Sequence, residues 1–283
     1  MIKKKYSPDF IGIGAMRCGT TWIADKLRKH PEIYIPEDFK ELHFFDQFYN
    51  KGIEWYESNF SKKEEDQIVG EFTPKYLRSP KIAKLIKKHY PDTKLIISLR
   101  NPISRAFSHY NFLKKHTNIE SNLYKSLFDK KYEILMAGLY GEQIQTYLKL
   151  FPLNNIHIIF FEDIINNPKD VVKKLYAFLE IDPHFRPMEL SKSLNKRSSV
   201  RFKNFHIKKK YFRQFIRQYI VLRKILRYSG ILFIMKILNK LNSKNNSKET
   251  IDKKSVDYLK NYYKNDLLIL EKIVDREVSH WLE

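Results

Sequence analysis

The sequence predicts an α/β protein, a central parallel sheet flanked by helices, in one domain spanning residues 1–283. Two observations carry this. Short apolar runs bounded by turn residues alternate with longer segments of helical period, the order that builds parallel sheets. Hydrophobic residues make up 43% of the chain and aromatics 14%, enough to bury a sizeable core.

The elements follow in order. FIGIGA reads as a strand, MRCG as a loop, and TTWIADKLRKH as a helix stopped by Pro31. QIVGEF is strand-like. SPKIAKLIKKHY reads as a helix, with Ser79 as its cap and Pro80 at its first position. KLIISL has the pattern of a buried strand, and NPISRAFSHYNFLKK is a helix capped by Asn101 with Pro102 in its first turn. GEQIQTYLKLF reads as a helix, NIHIIFFED as a strand and DVVKKLYAFLEI as a helix. NSKNNSKET reads as a loop. Ile251 to Glu283 then forms an amphipathic helix ending in SHWLE, with Val256, Leu259, Tyr263, Leu267 and Leu270 on one face as core contacts.

Lysine and arginine outnumber aspartate and glutamate by 53 to 32, a net charge of +21 that favours anionic partners. Residues 190–248 hold 17 of those basic residues and no acidic one, so most of the excess lies in one block. Within it, YFRQFIRQYIVLRKILRYSGILFIMKILNKL mixes apolar and basic residues at helical spacing. Such a helical region suits an acidic glycan, an anionic membrane surface or plain solvation. The single cysteine, Cys18, excludes an intrachain disulfide and a cysteine-rich metal site. The run Phe10–Met16 is too short and glycine-rich for a signal sequence, and no window reaches about 18 apolar residues. The expectation is a cytoplasmic chain, soluble or peripheral to a membrane through its basic block.

Gly14 to Thr21 follows a strand and opens a helix. Main-chain N–H groups at such a turn face an anion, and the helix dipole favours it. The spacing copies the Walker loop, but Thr20 stands where that loop needs lysine, and Arg17 supplies charge from within the loop. A second anion element lies at KLIISLRNPISRAFSHYN. Arg100 ends a strand there, at the edge where open α/β sheets gather ligands, and Ser104 and Ser108 share a face of the next helix.

IGAMRCGTTWI resembles the 5′-phosphosulfate loop of sulfotransferases that use 3′-phosphoadenosine-5′-phosphosulfate (PAPS). Glycan-type and bacterial carbohydrate sulfotransferases are the members it looks most like. The family usually has lysine where this chain has Arg17. The resemblance implies that Arg17, Cys18, Gly19, Thr20 and Thr21 hold the 5′-phosphosulfate and that Trp22 lies near the adenine, although a tryptophan on a first helical turn also suits the core. It implies a 3′-phosphate site at Arg100 and Ser108, whose eight-residue spacing matches. It also implies a P-loop kinase-like sulfotransferase fold.

KELHFFD resembles the segment of glycan sulfotransferases that carries the catalytic glutamate, which makes Glu41 the general base. A sugar hydroxyl must lose its proton as it attacks sulfur, and the leaving phosphate needs positive charge, for which Arg17 is the candidate. His43, two residues on, orients the acceptor or is itself the base. GIEWYESNF and GEFTPKYL resemble the same group, except that the family's donor-binding lysine is here Phe72. Arg197 and Arg201 fall where the family closes a late loop over the nucleotide, although its arginine-lysine-glycine triplet is absent. The scheme requires PAPS as co-substrate, a glycan or glycolipid acceptor, no metal and no nucleic acid. Two rivals remain at this level. A nucleotide kinase would want the Walker lysine and magnesium. A nucleic-acid or membrane binder would use the basic block alone.

Overall fold

Strand β1 (Phe10–Gly14) lies at the centre of a five-stranded sheet of order β2-β3-β1-β4-β5. Its companions are β2 (Ile33–Tyr34), β3 (Ile68–Phe72), β4 (Lys94–Leu99) and β5 (Ile156–Phe160), and every pairing is parallel. The computed structural model describes residues 6–37, 41–117, 119, 121–187, 198–200, 243–245 and 250–283. From β1 the chain first fills one side of the sheet with β2 and β3, then the other with β4 and β5. The carboxyl ends of β1, β3 and β4 therefore share one edge at the point where the winding reverses, which is where ligands bind in open sheets.

Alternation along the strands divides the core between two faces. Ile11, Ile13, Leu95, Ile97 and Leu99 pack against α3 (Pro80–His89), α4 (Pro102–His116), α6 (Tyr140–Leu148) and α9 (Lys253–Val274). Phe10, Phe72, Ile96 and Ile159 face α1 (Thr20–Arg28), α7 (Phe161–Asn166) and α8 (Pro168–Leu179). Among the described residues, α2 (Ile53–Glu57) and α5 (Leu123–Leu127) are two further short α-helices. The β1–β3 ladder has a tight fit built into it. Phe10 pairs with Gly70 and Gly12 with Phe72. A Cβ on Gly12 would lie 2.0 Å from the Phe72 ring, and one on Gly70 would lie 2.4 Å from Phe10. Each ring thus occupies the space that the opposite glycine leaves.

The expected caps form. The Ser79 side chain accepts from Ile82 N at 3.3 Å and Asn101 Oδ1 from Ser104 N at 2.9 Å. Four boundaries differ from expectation. The edge strand β2 has only two residues, too few for a sequence pattern. Strand β5 stops at Phe160, and the next residues start α7. Helix α9 covers Lys253–Val274 and is ended by Asp275 at φ 46; a separate turn, Ser279–Leu282, follows. Ser243–Asn245, expected in a loop, forms a strand antiparallel to Ser198–Val200. The rest of the basic helical region at 190–248 lies outside the described residues, as do Arg197 and Arg201. No helix among the described residues is long and apolar enough to cross a membrane.

Candidate active site

The loop between β1 and α1 is fastened on both flanks by the end of β4. Ala15 N donates to Ser98 O at 2.8 Å, and Ser98 Oγ donates to Cys18 O at 2.5 Å. Between these ties Arg17 adopts φ 70, and Gly19 follows at φ 88. A Cβ on Gly19 would meet the Phe161 ring at 3.0 Å, so the position needs glycine for space as well as conformation. Gly19 gives α1 no side-chain cap. The main-chain N–H groups of that first turn, at Thr20 and Thr21, therefore have no partner within the helix.

Beneath the loop the Cys18 side chain is fully buried, 3.5 Å from Tyr140 Oη. Burial pushes its thiol up to about 11, so it stays protonated and any role toward a ligand belongs to its main chain. Tyr140 Oη also donates to Arg100 O at 3.0 Å, which joins the loop to the turn after β4. Trp22 is 7% exposed and packs in the cluster with Phe10, Ile23 and Phe72. Its side chain packs among these core residues, the second of the two places that the sequence leaves open for it.

Arg17 Nε donates to Ser108 Oγ at 3.2 Å, and its guanidinium lies 5.0 Å from the Phe112 ring centre. Arg100 lies over Phe161 at 4.6 Å. Burial, and then the positive charge of Arg100, lower the Arg17 pKa. Two arginines near enough to repel one another, partly withdrawn from water, make a site that an anion relieves. The sequence pairs Ser108 with Arg100; the structure adds a direct bond from Ser108 to the phosphate loop.

Across the cleft, Glu41 Oε2 is 3.1 Å from His43 Nε2, and Asp46 Oδ2 is 3.0 Å from His43 Nδ1. His43 has φ 55, so a left-handed turn rather than an extended segment brings Glu41 and His43 together. Burial of His43 favours the neutral ring. The hydrogen bonds and charges of Asp46 and Glu41 outweigh it and raise the pKa to about 9. At neutral pH His43 is therefore an imidazolium donating to both carboxylates. Its main chain is held as well. His43 N donates to Thr73 Oγ1 at 3.2 Å, and Thr73 Oγ1 donates to Glu71 Oε2 at 2.7 Å. Glu71 is fully buried, and burial lifts its pKa to about 7 against the pull of its hydrogen bonds.

Thr20, Thr21, Ala24, Arg28, Glu41 and Phe72 line one cleft. Glu41 thus faces the helix that starts at the phosphate loop. Asp46, Glu71, Thr73 and Arg28 are the additions that sequence reasoning missed. Asp46 had a local signal, three residues after His43, and so had Arg28, eight residues after Thr20 on the same helix; Glu71 and Thr73 reach the site through tertiary packing.

A family model of the Sulfotransferase domain matches residues 7–225. The chain belongs to the sulfotransferase family. Heparan sulfate glucosamine 3-O-sulfotransferase 3A1 of Mus musculus is 31% identical over 194 residues, covering 64% of this chain and 49% of that protein. Membrane-associated sulfotransferase kil1 of Dictyostelium discoideum is 27% identical over 266 residues, covering 62% of this chain and 56% of the relative. The chain spans about half the length of the curated relatives it matches. The crystal structure of a sulfotransferase from Alicyclobacillus acidocaldarius superposes with a TM-score of 0.73 at 23% identity, covering 98% of this chain and 99% of that one. The fold is therefore the sulfotransferase fold, as its motifs imply.

Proposed function

We propose that this sulfotransferase-family chain moves a sulfuryl group from PAPS to a hydroxyl or amine of a carbohydrate acceptor, with Glu41 as general base. The observation that carries the reading is the meeting of three separate segments at one edge of the sheet. Arg17 of the phosphate loop bonds Ser108 of α4, and Glu41 lines the same cleft as Thr20 and Thr21.

In this reading the loop around Gly19 and the first turn of α1 take the 5′-phosphosulfate, and Arg100 with Ser108 takes the 3′-phosphate. When bound, PAPS supplies an electrophilic sulfur and a phosphate leaving group. Glu41 accepts the proton as the acceptor oxygen or nitrogen bonds to sulfur. The bond from sulfur to the bridging oxygen breaks, and its electron pair leaves with the phosphate. Arg17 meets that developing negative charge. His43 keeps its proton, so it serves as a positioning residue that turns Glu41 toward the acceptor. The similarity to heparan sulfate sulfotransferases supports a glycan as acceptor.

The test is thermal stabilisation by 3′-phosphoadenosine-5′-phosphate and by ATP, each with and without magnesium. A ligand at about 100 times its dissociation constant adds roughly 2.7 kcal/mol. The expected result is a magnesium-independent shift with the 3′-phosphorylated nucleotide that Arg100→Ala abolishes. A shift only with ATP and magnesium would overturn the donor assignment. Transfer of radiolabelled sulfate from PAPS to a glycan panel then tests the acceptor class.

A further inference from the structure

Helix α1 carries more than the donor loop. Thr20, Ala24 and Arg28 recur at four-residue intervals, so they lie along one side of the helix. All three line the cleft that Glu41 and Phe72 face. At 1.5 Å of rise per residue, the Arg28 Cα lies roughly 12 Å along the axis from Thr20, well past the reacting end. Helical side chains lean toward the N-terminus, so the guanidinium points back over Ala24, whose small side chain leaves room.

The cation is half-buried and only loosely held. Its Nε donates to Ile35 O at 3.5 Å, near the limit of a hydrogen bond. Burial lowers its pKa, while Glu37 and Asp25 oppose this through space. A guanidinium has five N–H donors in a planar fork that suits a carboxylate or a sulfate ester. Among the described residues that line the cleft, Arg28 is the one cation; Phe72 also lines it, with its ring seated over Gly12.

We propose that Arg28 is a specificity-determining residue that binds an anionic substituent, a carboxylate or a sulfate ester, on the acceptor sugar whose nucleophile sits at Glu41. This rests on the acceptor assignment above, and it goes further by naming the charge that the acceptor carries. Arg28 and Glu41 line the same cleft, so a substituent of the sugar whose nucleophile faces Glu41 comes within reach of the guanidinium.

The test is calorimetric titration of the protein loaded with 3′-phosphoadenosine-5′-phosphate. Three probes are p-nitrophenyl glucuronide, p-nitrophenyl glucoside 6-sulfate and uncharged p-nitrophenyl glucoside. One or both anionic probes should bind about tenfold more tightly than the neutral one, the scale of a single charge-assisted contact. Which one does so distinguishes carboxylate from sulfate ester. Arg28→Gln should erase that preference while leaving affinity for the nucleotide and the neutral glucoside unchanged, and Arg28→Lys should keep part of it. Three results would overturn the proposal: no preference in the unaltered protein, a preference that survives Arg28→Gln, or equal weakening of all three probes. If the nucleotide fails to bind while the preference persists in the unloaded protein, the donor assignment fails and the Arg28 site stands.

Discussion

His43 has a defined protonation state only because of where Asp46 and Glu41 stand. With a carboxylate on each ring nitrogen, its pKa rises from 6.5 to about 9. The folded value exceeds the unfolded one. The stabilisation is therefore complete below about pH 6.5, declines as pH rises, and is gone above about pH 9. A shift of this size corresponds to roughly 3 kcal/mol. His43→Gln should flatten that part of the stability–pH profile, as urea titrations between pH 6 and 10 would read. Glu41→Gln should lower the turnover number by about 10²–10⁴-fold with nucleotide affinity kept, as initial rates and calorimetry would measure. Glu41 and His43 are legible in the sequence because the pair sits in one short motif. Glu71 is not, because its link to His43 runs through Thr73, thirty residues from the histidine. No local spacing encodes that bond.

The elements themselves are plainer in the sequence. Apolar runs marked β1, β3, β4 and β5, and Ser79-Pro80 and Asn101-Pro102 marked two helix starts. Strand β2 escaped because β3, not its own two residues, makes it a strand. The loop between β1 and α1 shows how an element imposes a residue. Gly19→Ala would put a Cβ at φ 88 and 3.0 Å from Phe161. The expected outcome is a loss of about 1–3 kcal/mol in a denaturation curve, with weaker nucleotide binding. Helix α6 depends on a cap from another element. Asp266 of α9 accepts from Gly141 N and Glu142 N, each at 2.9 Å. Asp266→Ala should cost about 1–2 kcal/mol. It should also loosen the phosphate loop, since α6 carries Tyr140, which spans Cys18 and Arg100 O.

At the scale of the molecule, the sheet order was not legible, since periodicity identifies strands but not their neighbours. Nor was the way the C-terminal segment closes the fold. Trp281 Nε1 donates to Glu162 Oε1 at 2.7 Å, and Asn101 Nδ2 donates to Trp281 O at 2.7 Å. Arg276 pairs with Asp163 at 2.6 Å and lies over Phe160. Trp281→Ala should lower stability by about 3–5 kcal/mol. Its nucleotide affinity should fall as well, because Asn101 caps the helix that follows Arg100; thermal melts with and without the nucleotide would separate the two effects. The capping of α6 by α9 also sets an order of events during synthesis. The ribosome makes Cys18, Arg100 and Tyr140 long before Asp266 and Trp281. At about 5–20 residues per second, the phosphate loop waits tens of seconds or less for the segments that brace it. A chain stalled before α9 would carry every residue of the donor motifs and still lack the support that holds them in place.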